Sequence, residues 1–192
     1  MPERPADRAR FLGDQLLIAM PAMSDPHFDH AVTYICEHGP EGALGIVINR
    51  PLGLTLGAVL TQLELGCDDP ATRARTVYFG GPVLPERGFV LHDSGSRFDS
   101  TLRVNERFSV TTSRDVLAAI ADGRGPQHAL VALGYAGWGA GQLEAELADN
   151  AWLSAPADPQ LVFDTPPEQR WDRAARSIGA DPSRLSGAAG HA

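Results

Sequence analysis

An α+β fold built on a mixed sheet is the class this sequence predicts. Three observations carry the prediction. Short β-rich runs occur both as a tight hairpin and as strand–helix–strand units, a mixture that a regular parallel α/β fold does not produce. Apolar residues make up 43% of the 192 positions and charged residues 21%, an ordinary globular balance. No stretch approaches the ~18 consecutive apolar residues of a membrane span. A chain of this length suits one domain and buries roughly 70% of the surface that its unfolded form exposes.

Taken in order, Met1–Arg10 has no apolar core and reads as a flexible lead-in rather than a secretory signal, so a single domain is expected over 11–192. Gln15–Met20 is a buried strand closed by Pro21. Ala31–Glu37 and Ala43–Asn49 form a hairpin around the loop His38–Gly42. Both of its strands are apolar at odd and even positions, which predicts cover on both faces. Arg50-Pro51 is expected to end the second strand, because proline cannot donate to a ladder. Thr55 caps a short helix through Leu63. Arg73–Phe79 and Gly88–His92 are strands on either side of the turn Gly80-Gly81-Pro82, and Ser94–Arg97 is loop. Phe108–Thr111 is a strand, and Thr112–Asp115 matches a capping box before the helix Val116–Ala121, which Gly123 stops. Ala129–Leu133 is a buried strand and Gln142–Ala148 a helix. Trp152-Leu153 and Leu161–Phe163 read as short strands. Thr165–Glu168 is a second capping box, with proline at the first helical position. It opens a helix, Pro166–Ile178, that Gly179 ends, and Asp181-Pro182 starts a last short one.

The most informative stretch is Leu133–Glu144, with glycines at 134, 137, 139 and 141 between an apolar strand and a helix. Such density predicts a tight turn, a close backbone approach, or both. Gly134, Gly137 or Gly141 is expected to need positive φ or to exclude a side chain. Trp138 is expected to be buried as a wedge, with its indole N–H bonded to a carbonyl or to a side chain such as Glu144. Free N–H groups at the helix start could meet an anion or a polar ligand group. A dinucleotide fingerprint would need glycine where Gln142 stands and an acidic residue ~20 positions on within a parallel βαβ unit, and neither is met.

These residues carry a family resemblance. Gly13–Pro21, Phe28, Tyr34–His38, Gly45–Pro51, Gly80–Val83, Gly88–His92, Thr111–Ser113 with Asp115, Gly134–Trp138, Ala140–Glu144, Phe163–Pro166 and Arg170-Trp171 resemble, in order, the motifs of the YqgE/AlgH family. The resemblance covers about residues 11 to 192. It implies a compact bacterial protein with a bifurcated mixed sheet that closes partly into a small barrel and is flanked by helices. Some members are labelled transcriptional regulators through a genetic link to alginate production. The resemblance carries over no catalytic residues.

The residues able to do chemistry are few. Cys36-Glu37-His38 places a thiol and an imidazole on one face of a regular strand, but the apolar setting of Cys36 suits a buried, inert thiol. Cys67 is a filler or surface thiol, and the two cysteines are expected to be unbridged. His27, His30, His38, His92, His128 and His191 show no complete metal-binding pattern, and His27-Phe28-Asp29-His30 pairs its imidazoles only on a helix. No G-x-S-x-G elbow is present. Arg50, leaving a covered hairpin, is expected to clamp a carboxylate, with Glu37 and Glu144 as partners, or to meet an anion. All sixteen basic residues are arginine, they are scattered, and the net charge is −8. That balance argues against direct nucleic-acid binding and against an anionic membrane surface.

The sequence therefore predicts a cytoplasmic, non-catalytic binding or regulatory module with no cofactor and no metal, whose partner is a protein or a small ligand. The candidate ligand or structural pocket comprises Asn49, Arg50, Gly80, Gly81, Tyr135, Gly137, Trp138, Gln142 and Glu144. One alternative is an enzyme using Cys36, His38 or His92 with a carboxylate, which requires two such groups within about 3.5 Å in an open cleft. Another is a regulator acting directly on DNA, which requires a basic face and a recognition helix.

Overall fold

A computed structural model describes residues 11–185; the lead-in Met1–Arg10 and His191 lie outside the described residues. The strands are β1 (Gln15–Ala19), β2 (Val32–Gly39), β3 (Gly42–Val47), β4 (Pro51–Thr55), β5 (Thr76–Phe79), β6 (Val83–Asp93), β7 (Thr101–Arg103), β8 (Phe108–Thr111), β9 (Ala129–Gly139) and β10 (Trp152–Pro156). The helices are α1 (Leu56–Gln62), α2 (Pro70–Arg73), α3 (Arg114–Ala121), α4 (Gln142–Ala148), α5 (Pro167–Ser177) and α6 (Pro182–Leu185). The sheet runs β10-β1-β2-β3-β9-β6-β8-β7 and curls into a half-barrel flanked by helices, as the α+β expectation holds.

β9 is the branch point of the bifurcated sheet. One edge pairs antiparallel with β6 over Ala129–Tyr135. On the other edge, Val131–Leu133 run parallel to β5, while Ala136–Gly139 run antiparallel to β3. The sheet forks between these two partners, at Gly134, which has φ +77°. This break reverses the alternation of the strand. Leu130 and Ala132 face one apolar cluster with Leu16, Tyr34, Leu91 and Phe108, whereas Ala136 and Trp138 face another with Leu17, Ile35 and Val47. A third cluster packs α1 and α3, through Leu56, Leu60, Val116 and Ile120, onto Val77, Val90 and Val131. Both faces of the β2–β3 hairpin are thus covered, as its unbroken apolar runs predict, and each fully buried Leu or Ile contributes about 1.5–3 kcal/mol.

Several local expectations are corrected. The Gly-rich stretch is not a turn into a helix for most of its length: β9 continues through it to Gly139. The second hairpin strand ends at Val47, ahead of Arg50-Pro51 as expected, but Pro51 also opens β4, an edge strand whose register with β5 breaks between Pro51 and Leu54. The expected strand Leu161–Phe163 lies instead within one π-helical turn, Gln160–Asp164, in which the Thr165 N–H reaches the Gln160 carbonyl at 3.0 Å. Neither capping box closes. Ser113 occupies the cap position of α3, but its hydroxyl accepts the Ser100 N–H at 3.0 Å, while Asp115 accepts the Asp99 N–H at 2.8 Å. Those side chains tether the loop before β7 instead. Likewise the Thr165 hydroxyl donates to the Gln160 carbonyl at 3.2 Å, and Pro166 stands at the cap of α5.

Candidate functional site

The nine residues singled out in the sequence gather into a framework of chain against chain. Gly80 lies in the fork of the sheet. Its N–H donates to Leu133 and its carbonyl accepts from Val47, each at 2.8 Å. A Cβ on Gly80 would stand 2.3 Å from the Gly134 carbonyl oxygen, and one on Gly81 2.0 Å from the Tyr135 carbonyl carbon. The close approach is therefore between β9 and the β5–β6 connection. Gly137 is different. It has no positive φ, and an added Cβ would meet only the Tyr135 ring edge at 3.3 Å and Val83 at 4.0 Å. Of the three expected positions, Gly134 and Gly141 adopt positive φ and Gly137 does not.

Asn49 and Arg50 pin the segment before β2. The Asn49 side chain accepts the Val32 N–H and donates to the His30 carbonyl, both at 2.8 Å. The Arg50 guanidinium donates to the carbonyls of Pro26 at 3.0 Å, His27 at 2.5 Å and Asp29 at 2.6 Å. The expected carboxylate clamp with Glu37 or Glu144 does not form, because the pinned segment brings three carbonyls around the guanidinium. That segment presents Phe28 to Trp138 and Trp152, at centroid distances of 6.2 and 5.5 Å. Both indoles are buried, and both N–H groups donate to one oxygen of Glu146, at 2.9 and 2.8 Å. Glu146, rather than Glu144, is thus the partner of Trp138. Gln142 closes the arrangement by accepting the Gly139 N–H at 3.0 Å and donating to the other Glu146 oxygen at 3.0 Å.

Cys36, His38 and His92 are tied into the fold. A bulge between Ile35 and Glu37 breaks the alternation of β2, so Cys36 faces the cluster of Tyr34 while His38 turns toward α4; the two do not share a face. Burial pushes the Cys36 thiol well above its ordinary range, with a smaller contribution from Glu37. The His38 side chain is fully buried; Nδ1 accepts the Leu12 N–H at 2.9 Å, so Nε2 carries the hydrogen and donates to Glu144 at 3.1 Å. The second Glu144 oxygen is buried without a partner among the described residues. His92 donates from Nδ1 to the Asp93 carbonyl at 2.7 Å, and its Nε2 accepts from Thr111 at 2.8 Å. Desolvation lowers its pKa, against the opposing pull of Asp93. Both cysteines are free and sit in separate clusters. His27 and His30 lie in a turn, each against its own neighbouring aspartate. Among the described residues no group of three or more His, Cys, Asp or Glu side chains is placed to hold a metal ion.

A site that the sequence reading missed lies between β5, β9 and α5. Arg75, Thr76, Tyr78, Leu130, Phe163 and Arg170 line a cavity of about 200 Å³. Arg170 is 3% exposed; it donates to the carbonyls of Thr165, at 2.8 Å, and Ile48, and lies over the Tyr78 ring at 5.1 Å from its centroid. Arg75 is half-buried and donates to the Ala129 carbonyl at 2.6 Å. Desolvation holds both guanidiniums below their ordinary range. Neither forms an ion pair among the described residues. Nothing local signals the site, since its two cations stand far apart in the chain and the topology alone brings them together.

Residues 16–183 match the AlgH-like family model. The chain is 51% identical over 181 residues to a UPF0301 protein of Chromobacterium violaceum, covering 94% of this chain and 97% of that protein. It is 55% identical over 179 residues to one of Thioalkalivibrio sulfidiphilus, covering 93% and 96%. The solution structure of the AlgH protein from Pseudomonas aeruginosa is similar with a TM-score of 0.78 at 52% identity, over all of both chains. A crystal structure of a Corynebacterium diphtheriae protein is similar with a TM-score of 0.68 at 21% identity, over 100% of this chain and 95% of that one, a likeness of fold alone. With its fork, its covered hairpin and its motifs in order, the chain belongs to the AlgH-like family.

Proposed function

We propose that this protein is a non-catalytic binding module with a regulatory role in the cytoplasm. The observation that carries the reading is the use of Cys36, His38 and His92 as buried structural groups. A nucleophile or general base must reach a substrate and exchange a proton with it. Cys36 is 4% exposed and its thiol is held protonated by burial. His38 and His92 have both ring nitrogens engaged, by Leu12 and Glu144 in one case and by Asp93 and Thr111 in the other. A regulatory effect would then pass through a bound partner or ligand, and the −8 net charge disfavours the DNA backbone as that partner.

The test is a thermal-shift screen of the purified protein against metabolites and nucleotides, with each active compound recovered and analysed by mass afterwards. A ligand bound only by the native state raises apparent stability by mass action. The reading expects a saturable rise in melting temperature and an unchanged compound. Catalytic conversion of that compound over many turnovers would contradict it.

A further inference from the structure

We propose that the cavity between β5, β9 and α5 is a binding site for a small oxyanion, a carboxylate or phosphate group received jointly by Arg75 and Arg170. The inference names a site and a ligand class for the binding module proposed above, and rests on that reading.

Arg170 supplies the first argument. Charged side chains are almost never fully buried unless paired, because removing an ion from water costs far more than carbonyl dipoles return. Its tethers, the Ile48 and Thr165 carbonyls and the Tyr78 side chain, are neutral groups and do not use all five donors of the guanidinium. The acidic residue acting on it is Glu168, which is exposed on the same helix and outside ion-pair distance. The positive charge is therefore fixed in position, with no carboxylate in ion-pair contact among the described residues.

Arg75 supplies the second. It lines the same cavity from the residue before β5, and the Ala129 carbonyl occupies one of its donors. Two pre-positioned guanidinium forks facing one space are suited to the in-plane oxygens of a carboxylate or phosphate. The rest of the lining mixes the apolar side chains of Leu130, Val131 and Phe163 with Thr76 and Tyr78, and exposed Thr76 marks the side open to solvent. At ~30 Å³ per water the space equals about seven waters. It admits inorganic phosphate, a short phosphate ester or a short dicarboxylate, and it is too small for a nucleotide.

The experiment uses the full chain at constant ionic strength, with inorganic phosphate, glycerol phosphate and dicarboxylates of three and four carbons as separate probes and chloride as the reference anion. At least one oxyanion is expected to give a saturable rise in melting temperature, about 5–10 °C at a hundredfold excess over Kd. Which probe responds separates the phosphate source from the carboxylate source. Arg75→Gln is expected to weaken that response tenfold or more. Thr76→Trp tests the site independently, since Thr76 is an exposed residue of the cavity wall and its replacement should block entry without disturbing the core. Arg97 and Arg103 line a different cavity, with Ser94 and Ser109, and their double replacement by serine should leave the response intact.

Three results would overturn the proposal: no saturable response to any of the probes, full response in both Arg75→Gln and Thr76→Trp, or loss of response in the Arg97/Arg103 variant alone. If other metabolites shift the protein while these oxyanions do not, the binding-module reading stands and the site fails. If a bound oxyanion is converted, the site stands and the non-catalytic reading fails.

Discussion

Glu146→Ala should be one of the most destabilising single changes on the outer face of the sheet. One carboxylate oxygen accepts both the Trp138 and the Trp152 indole N–H, at 2.9 and 2.8 Å, and the rings are only 6% and 3% exposed. Truncation removes the acceptor that both indoles use and leaves their N–H groups beside an apolar cluster with Leu17, Ile35 and Leu143. A buried donor left unpaired costs roughly 1–3 kcal/mol, and partial access of water at the rim lowers the sum, so the loss should be about 2–4 kcal/mol. For a domain of this size that corresponds to a fall of roughly 5–15 °C in melting temperature. Glu146→Gln keeps an oxygen able to accept both indole bonds but sets its NH2 group against the Gln142 amide. It loses that exposed bond as well as the charge assistance, so it should cost about 1–2 kcal/mol, less than alanine. Urea unfolding followed by tryptophan fluorescence measures both. An alanine variant within about 0.5 kcal/mol of the parent, the range of an ordinary surface change, would refute the reasoning.

Other outcomes follow from the same geometry. Gly134→Ala should cost at least about 3 kcal/mol, since it combines positive φ with a contact of 2.3 Å to the Gly81 carbonyl, whereas Gly137→Ala should change stability by at most about 1 kcal/mol; parallel urea melts compare them. His92 is held below its ordinary pKa by burial, so the unfolded chain takes up a proton that the native state refuses. Its contribution is present above about pH 6.5 and is lost as pH falls from there toward the native pKa; His92→Gln should flatten the stability–pH curve in that window by roughly one proton's slope. A thiol count in denaturant without reductant should give two, and Cys36 should stay unlabelled in the native state over an interval that labels both thiols in the unfolded chain. Rapid native labelling of Cys36 would contradict its placement.

Much of the fold was legible because hydrophobic alternation is a local signal. Gln15–Ala19, the β2–β3 hairpin, Phe108–Thr111 and the helices after Thr55 and Ser113 all follow from periodicity and punctuation. What was not legible depended on partners distant in sequence. Glycines at 134 to 141 signal close approach, but whether another strand or a ligand comes close is decided by Gly80 and Gly81, more than fifty positions earlier. Arg50 invites a carboxylate because lone buried arginines usually have one, and three carbonyls of the Pro26–Asp29 segment take its place. The bulge at Cys36 leaves no mark on an apolar run, yet it turns His38 to the opposite face. The cavity of Arg75 and Arg170 has no motif at all: it exists because β5 runs parallel to β9 and α5 brings Arg170 to the same space.

A Gly-rich fork, where chain packs on chain, and a cationic cavity, proposed to receive an oxyanion, are thus separate places in the molecule. A backbone amide NMR titration with the oxyanion that shifts the melting temperature tests that division most directly. The expected result is saturable shift changes at Arg75, Thr76, Tyr78, Leu130 and Arg170, with Trp138 to Glu144 unmoved. Changes centred on Tyr135 to Glu144, with Arg75 and Arg170 unaffected, would contradict it and return the ligand to the Gly-rich junction.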